Sequence, residues 1–565
     1  MREKAGVKRL AVFGLDGADF NLLRPWLEDG SLPCLSRLYR QGASGPLAST
    51  VPPLSPEAWA SFATGMNPGK HGVVNFVQPK PGSYELQFSC GGIRRARGLW
   101  QLLSQAGLSV GVVNVPMTYP PESVNGFFIS GPDAPGTQAD FTYPRDLKER
   151  LLGAVGRYEI HGDYWGRTTP ERYLRRLVET VGNQKKAWEY LLREFEPEVF
   201  IGVFGSTDRA QHFLWKYADP DHPAHEPHAP FAGDDPLAVV YRAVDNAIAE
   251  CLSLMGDDVT VIVMSDHGSG PCHKVVYLDR WLQNQGLLQY RTDGDRGHRS
   301  LVRRTYGLAR KTLPRWAKDW LKTRWQGVRQ EIESSIARDP IDWDNTRAFF
   351  LGTESAYVYL NSQDRFPQGT VRPGAEAEAL CQEIAEGLSS IVDPATGNPV
   401  VDAVHRRDDI YHGRSEDLAL LPDLVVTWRD SSYVVRRAWN EPKASPDVIV
   451  ESGVKVGDAA RLMSLELSGC HRPDGVLMVS GPGVPAGGKI AGAHITDLAP
   501  TILALLGVPV PSNMDGRPLD GLAGGSTRAA PEDDEGSREE LRPARYTEAE
   551  REEMERRLRG LGYLD

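Results

Sequence analysis

Six short runs of almost uninterrupted apolar residues set the terms for this chain. They are LAVFGL (Leu10–Leu15), SVGVVNV (Ser109–Val115), GFFISG (Gly126–Gly131), VFIGVFG (Val199–Gly205), VTVIVMS (Val259–Ser265) and GVLMVSG (Gly475–Gly481). A strand with water on one face alternates apolar and polar residues. A run that is apolar at nearly every position is covered on both faces, as parallel strands are. Segments of helical length lie between the runs, such as Leu23–Gly42 and Leu237–Gly256. This alternation predicts an α/β fold, a three-layer sandwich with a mostly parallel central sheet. The last run predicts a parallel strand like the others.

The chain has 565 residues, long for one simple domain. The predicted catalytic core has two parts, residues 1–275 and 456–520. Two regions interrupt the core pattern. Residues from about 135 to 195 are charged and helical, and residues 276–455 form a long insertion, read as a cap or lid. That insertion contains a basic amphipathic stretch over 298–330, either a solvated helical face or a cap surface that attracts an anionic substrate. Residues 521–545 are polar and of low complexity, a disordered linker, and residues 546–565 read as a helical tail.

Formal net charge is -11, which argues against a nucleic-acid polymer or an anionic membrane as the main partner. No run reaches 18 apolar residues, so no transmembrane anchor is expected. Six cysteines with no CxxC spacing and no disulfide framework fit a reducing compartment, the cytoplasm. Oligomeric state is left open.

Ser55 stands before Pro56 at the mouth of a helix expected to run to about Ala63 and to close at Gly65. Serine is a favoured N-cap and proline a favoured first helical residue, and Glu57 suits the helix dipole. A helix N-terminus is also an anion site, where a hydroxyl could attack phosphorus. Both readings of Ser55 stand on this stretch alone. Elsewhere, metal-type ligands gather near the ends of predicted strands, where ligands bind in open parallel sheets. Asp16 ends the first strand, Asp208 and His212 follow the fourth, and Asp266 and His267 follow the fifth. His471 precedes the last. Asp208 and His212 are i and i+4, so on a helix they share a face and can hold one ion. Singly, a strand-end Asp is commonly a cap and a lone His is commonly packed. Together they suffice for two divalent cation sites, with zinc first and manganese or iron as rivals.

Carried by GLDG, PPLSPEAWASFATGMNPGKHGV, STDRAQH, SDHG and CHRPDG in this order, the chain resembles the alkaline phosphatase superfamily. Within it, the chain resembles the type I phosphodiesterase/nucleotide pyrophosphatase branch. The resemblance spans about residues 8–275 and 455–520, and later motifs look like a bacterial subgroup of predicted phosphohydrolases or phosphomutases. It implies one cation site of Asp208, His212 and His471. It implies another of Asp16, Asp266 and His267, bound also by Ser55, the nucleophile that forms a phosphoseryl intermediate. Asn75 is the residue expected to contact a phosphate oxygen. Lys70 and His71 read as turn and packing residues, Cys470 as buried core, and Arg209 as a phosphate contact or a surface residue. Tyr164, Trp165, Tyr357 and Tyr359 either stack on an organic leaving group or pack within the insertions.

The function implied is two-metal hydrolysis of a small-molecule phosphate ester, of the phosphodiesterase or nucleotide pyrophosphatase type. Nucleotide pyrophosphatases usually have threonine where Ser55 stands, which keeps a phosphomonoesterase or phosphomutase open. The sulfatase pattern is missing, because proline follows Ser55 directly and residue 59 is Trp59. A non-catalytic binding protein on this scaffold predicts a lost ligand or nucleophile, and none is lost.

Overall fold

Strand Leu10–Leu15 lies inside a 10-stranded sheet, with Val199–Phe204 and Thr260–Met264 parallel to it on either side. The computed structural model describes residues 9–160, 169–225, 231, 233–291, 341–352, 356–437, 448–451, 467–522, 529–530 and 546–561. Beyond Val199–Phe204 come Val110–Val113 and Gly126–Ile129, both parallel, and then the short antiparallel strand Thr142–Tyr143. Beyond Thr260–Met264 comes Asp474–Ser480, antiparallel to it, and then Ala43–Ala48. Gly488–Lys489 and Ala493–His494 pair along the outer side of Ala43–Ala48. The sheet is thus mostly parallel. The expectation that GVLMVSG runs parallel does not hold: Asp474–Ser480 runs against its neighbours. Continuous apolarity reports cover on both faces and carries no information on direction.

Successive side chains of a strand point to opposite faces. Ala11, Phe13 and Leu15 pack on one side with Leu23, Leu35, Trp188 and Ile248. Leu10 and Val12 pack on the other with Trp59, Phe62, Leu103 and Ile502. Helices therefore cover both faces. The segment Leu23–Gly42 belongs to two helices, Phe20–Asp29 and Pro33–Gln41, separated where Gly30 takes a left-handed φ of 80°. The charged stretch after residue 135 includes helix Pro170–Phe195, whose Trp188 lies 4.2 Å from Phe204, ring centre to ring centre.

The helix at Ser55 runs Ser55–Thr64 and ends at Gly65 in the left-handed region. Every residue in it is buried. The indole of its Trp59 meets the central strand at Gly14, where a Cβ would sit 2.5 Å from the ring atom Cη2. Only glycine admits that approach, so the pair fixes the helix over the strand.

A second sheet has the order Ala348–Leu351, Ala356–Leu360, Leu424–Trp428, Val401–Arg406, antiparallel throughout. Helix Ala375–Ser389 buries Leu380, Ile384 and Leu388 in the same core. That core also takes in Leu54 and Val74, which flank the Ser55 helix and its following turn. A short sheet with Lys274–Tyr277 between Tyr433–Arg436 and Ile449–Glu451 stands beside it. Helix Glu548–Leu561 is preceded by Tyr546, which stacks on Tyr119 at 5.6 Å. No described helix is long and apolar enough to cross a membrane. The basic stretch 298–330, Tyr164 and Trp165, and most of the linker 521–545 lie outside the described residues.

Gly14→Ala is expected to destabilise the protein by about 1–3 kcal/mol, because the methyl overpacks against Trp59. A urea melt reads the loss, and adding Trp59→Phe should recover part of it by making room for the methyl. No loss on Gly14→Ala would mean the indole is free to shift.

Candidate active site

Three strand ends, the start of one helix and one two-stranded pairing bring the polar residues together. Asp16 follows the central strand directly, and its N–H donates to the Phe204 carbonyl at 3.2 Å. Gly17 then takes a left-handed φ of 71°, turning the chain so that its N–H donates to Asp266 Oδ1 at 3.2 Å. A Cβ on Gly17 would stand 3.1 Å from Asp208 Oδ1, so glycine also leaves room for that carboxylate. Asp208 lies in the first turn of helix Ser206–Ala218, where the helix dipole favours a carboxylate. His212 follows one turn later. Asp266 and His267 follow strand Thr260–Met264. His471 arrives from strand Gly469–Arg472, which pairs antiparallel with Gly268–Pro271 and sets His471 opposite Ser269.

The Ser55 hydroxyl makes no capping bond; Leu54 is the cap position and Ser55 the first helical residue. The cap reading of Ser55 therefore falls away. Its Oγ instead lies 3.1 Å from His267 Nε2. His267 Nε2 is 3.3 Å from Asp266 Oδ2 and 3.8 Å from Asp16 Oδ1. On the other side of the site, His212 Nε2 is 3.2 Å from Asp208 Oδ1 and 3.1 Å from His471 Nε2. His471 Nε2 is 3.6 Å from Asp208 Oδ1. The His267 and His471 rings stack at 3.6 Å, so the two halves form one continuous site. All seven expected residues, Asp16, Ser55, Asp208, His212, Asp266, His267 and His471, are buried there.

The donor set fits cations. Backbone carbonyls of Gly469, Gly268 and Pro53 lie 2.9–3.0 Å from Nδ1 of His212, His267 and His471. Such a contact requires a proton on Nδ1, which leaves each Nε2 a bare lone pair facing the site. His212 and His471 then present two lone pairs to each other, which only a shared positive charge makes favourable. Asp16 Oδ1, Asp208 Oδ1 and Asp266 Oδ2 are buried with no hydrogen-bond partner. Oxygens of buried carboxylates are normally paired or bound to metal. Ligand atoms of Asp16, Asp266 and His267, and of Asp208, His267 and His471, each lie within 4.8 Å of one another.

Burial pushes the Asp16 carboxyl well above its usual range, and the charges of Asp266 and Asp208 push it further. Burial also raises Asp208, but with protons in place of a cation on Nε2 the His212 and His471 imidazoliums outweigh it and hold that carboxyl well below the ordinary range. His267 is driven down, chiefly by burial.

Hydroxyls hold the ligand-bearing backbone in place. Thr207 Oγ1 donates to Asp16 O at 2.7 Å, Ser49 Oγ to Asp266 O at 2.6 Å, and Ser269 Oγ to Gly17 O at 2.8 Å. Thr207 lies inside the STDRAQH motif and was there to be found; nothing local marks Ser49. Asn75 is buried in the left-handed region at φ 57°, and its Oδ1 accepts from the Phe76 N–H at 2.7 Å. Lys70 pairs with Asp515, and His71 Nε2 lies 3.1 Å from Ser61 Oγ. Cys470 donates to the Ser431 carbonyl at 2.8 Å. Arg209 is half-buried, and its charge acts on Asp16. Tyr357 and Tyr359 are fully buried, so neither is open to stack on a leaving group.

Glu57 was read as a first-turn charge serving the helix dipole. It is fully buried, and burial lifts its carboxyl to about 7. It accepts from the Asn75 N–H at 2.8 Å and from the Tyr357 hydroxyl.

A family model for type I phosphodiesterase/nucleotide pyrophosphatase matches residues 10–455. Among solved structures, the fold is similar to phosphonoacetate hydrolase from Sinorhizobium meliloti 1021 in complex with phosphonoformate. That likeness has a TM-score of 0.50 and 17% identity, over 87% of this chain and 94% of that chain. Human ectonucleotide pyrophosphatase/phosphodiesterase 5 is similar with a TM-score of 0.46 and 12% identity, over 90% of this chain and 97% of that chain. No curated protein matches the chain in sequence.

Three buried carboxylates without a cation cost stability, and a cation that binds only the folded state adds stability, about 2.7 kcal/mol at 100 times its dissociation constant. Chelator-treated protein should therefore melt at a lower temperature than the same protein with zinc added back. Asp266→Asn should raise the melting temperature of the chelated form and shrink the gain from zinc. A wild-type melting temperature indifferent to both chelator and zinc would contradict the assignment of these residues to a cation.

Proposed function

The chain belongs to the type I phosphodiesterase/nucleotide pyrophosphatase family, and on that premise we propose that it hydrolyses small-molecule phosphodiesters or pyrophosphate linkages with Ser55 as nucleophile. As a family member it is a phosphoester hydrolase; the nucleophile, the cations and the substrate type are the proposal. The observation that carries it is the placement of Ser55 Oγ 3.1 Å from His267 Nε2, beside three buried carboxylate oxygens that lack partners.

Asp16, Asp266 and His267 with Ser55 would hold one divalent cation, and Asp208, His212 and His471 the other. His471 lies beyond the residues matched by the family model, and its contacts with His212 and Asp208 bring it into the set. Zinc is the cation proposed, with manganese as rival. Such cations supply positive charge for phosphoryl oxygens and make a hydroxyl beside them easier to ionise.

Ser55 Oγ attacks phosphorus from the first turn of its helix, whose dipole favours the developing negative charge. The Ser55 proton passes to solvent as the P–O bond forms. The ester oxygen opposite leaves with the bonding electrons and takes a proton, giving an alcohol or a nucleoside monophosphate. Water then attacks the phosphoseryl ester, which returns the Ser55 hydroxyl and frees the second product. Asn75 contacts a nonbridging phosphoryl oxygen. Residues 276–455 act as a cap that selects the leaving group, and six cysteines without a disulfide framework support a cytoplasmic location. Phosphomonoester hydrolysis or phosphoryl return in a mutase is the second reading, favoured by serine in place of threonine at position 55.

Ser55→Ala should lower turnover by on the order of 10⁴-fold while metal content is kept, because the other ligands remain. His471→Ala should lose one cation per chain by elemental analysis. The ratio of kcat/KM for bis-p-nitrophenyl phosphate to that for p-nitrophenyl phosphate should exceed one with zinc-loaded enzyme. A ratio well below one selects the monoester reading, and full activity of Ser55→Ala removes Ser55 as nucleophile.

A further inference from the structure

Glu57 stands two residues into the helix that begins with Ser55, yet it is completely buried. Its Oε1 gathers two donors from distant parts of the chain. One is the Asn75 N–H at 2.8 Å. The other is the hydroxyl of Tyr357, from strand Ala356–Leu360 of the second sheet. Glu57 Oε2 is buried without a hydrogen-bond partner. Burial of a carboxyl this deep is unfavourable and is seldom found without a task that offsets it.

The residue held by Glu57 is in an unusual backbone state. Asn75 has a φ of 57°, a conformation L-residues adopt rarely and asparagine more readily than most. Its own Oδ1 accepts from the next N–H, closing the turn locally. The bond from the Asn75 N–H to Glu57 Oε1 ties Asn75 itself to the Ser55 helix, beside the Ser61–His71 contact and the packing of Val73 and Phe76 with Ala60 that hold the rest of the turn.

Resting on the reading of Ser55 and Asn75 given above, we infer that Glu57 is a positioning residue that sets Asn75 against the phosphoryl group and acts through Asn75. Rigid placement of an oxyanion contact matters more in the transition state than in the bound substrate. The contribution of Glu57 therefore falls on kcat and not on KM. The bond to Tyr357 ties the second sheet to the same carboxylate but supplies no part of the phosphoryl contact.

The test is a double-mutant cycle on zinc-loaded enzyme with bis-p-nitrophenyl phosphate, together with the affinity for vanadate by calorimetry. Vanadate mimics the five-coordinate phosphorus of the transition state. Asn75→Ala is expected to lower kcat by about 10²-fold. Glu57→Met, which keeps the shape and removes the acceptor, should lower kcat about 10- to 100-fold with KM within about twofold. Vanadate affinity should weaken in parallel. Glu57→Gln keeps a carbonyl acceptor and should retain most of kcat. The Glu57→Met/Asn75→Ala pair should be no worse than Asn75→Ala alone. Multiplying losses in the pair would overturn the inference while leaving Asn75 as a phosphoryl contact. An unimpaired Asn75→Ala would overturn the underlying reading of Asn75 and the inference with it. Tyr357→Phe keeps the bond to Asn75 and serves if Glu57→Met fails to fold. It should keep kcat near wild type, and a loss as large as that of Asn75→Ala would overturn the inference.

Discussion

Everything in this molecule is arranged around three carboxylates that have no hydrogen-bonding partner for their inward oxygens. Asp16, Asp208 and Asp266 converge below the protein surface, within reach of three imidazole nitrogens held bare by backbone carbonyls. Left alone, such a cluster is unfavourable, and burial first, with repulsion from Asp266 and Asp208 second, raises the Asp16 carboxyl. The fold tolerates it because the sheet is large and apolar on both faces. Stability is drawn from the two helix layers and spent at the strand ends. Function and fold are therefore in tension at the strand ends, where a bound cation would relieve it.

Much of this was legible in the sequence because the ligands sit where parallel strands stop. Asp16, Asp208 and Asp266 each fall within a few residues of an apolar run, and His212 and His267 follow by helical or neighbouring position. His471 is different. It reaches the site on a short strand paired with Gly268–Pro271, and neither strand has an apolar run of its own; its place just before the run Gly475–Gly481 marked it as a candidate, and only the resemblance assigned it to a site. Strand direction was not legible either, since Asp474–Ser480 has the same apolar character as its parallel neighbours. The capping reading of Ser55 failed by one residue, a shift that frees the hydroxyl from the backbone and turns it to His267.

Glu57 lies in the first helical turn as the sequence implies, but its burial is imposed by residues far along the chain. Tyr357, which donates to it, is 300 residues away. Leu54 and Val74 enter the core of the second sheet in the same way. Local pattern cannot announce a contact whose other half is supplied by a separate sheet. The same contacts make the segment from Leu54 to Asn75 a shared wall between the two sheets.

The spacing of the site residues also bears on how the protein comes into being. A ribosome releases Asp16 first and His471 last, with nearly the whole catalytic machinery's sequence between them. Until Gly469–Arg472 pairs with Gly268–Pro271, His212 lacks its partner imidazole, and until Asp474–Ser480 is made, Thr260–Met264 lacks its antiparallel neighbour. From the synthesis of Thr260–Met264 until Asp474–Ser480 is made, the nascent chain therefore carries an open sheet edge and an incomplete set of ligands. Two late neighbouring strands, Gly469–Arg472 and Asp474–Ser480, complete both, so the last ligand and the cover of that sheet edge come from one short stretch of chain.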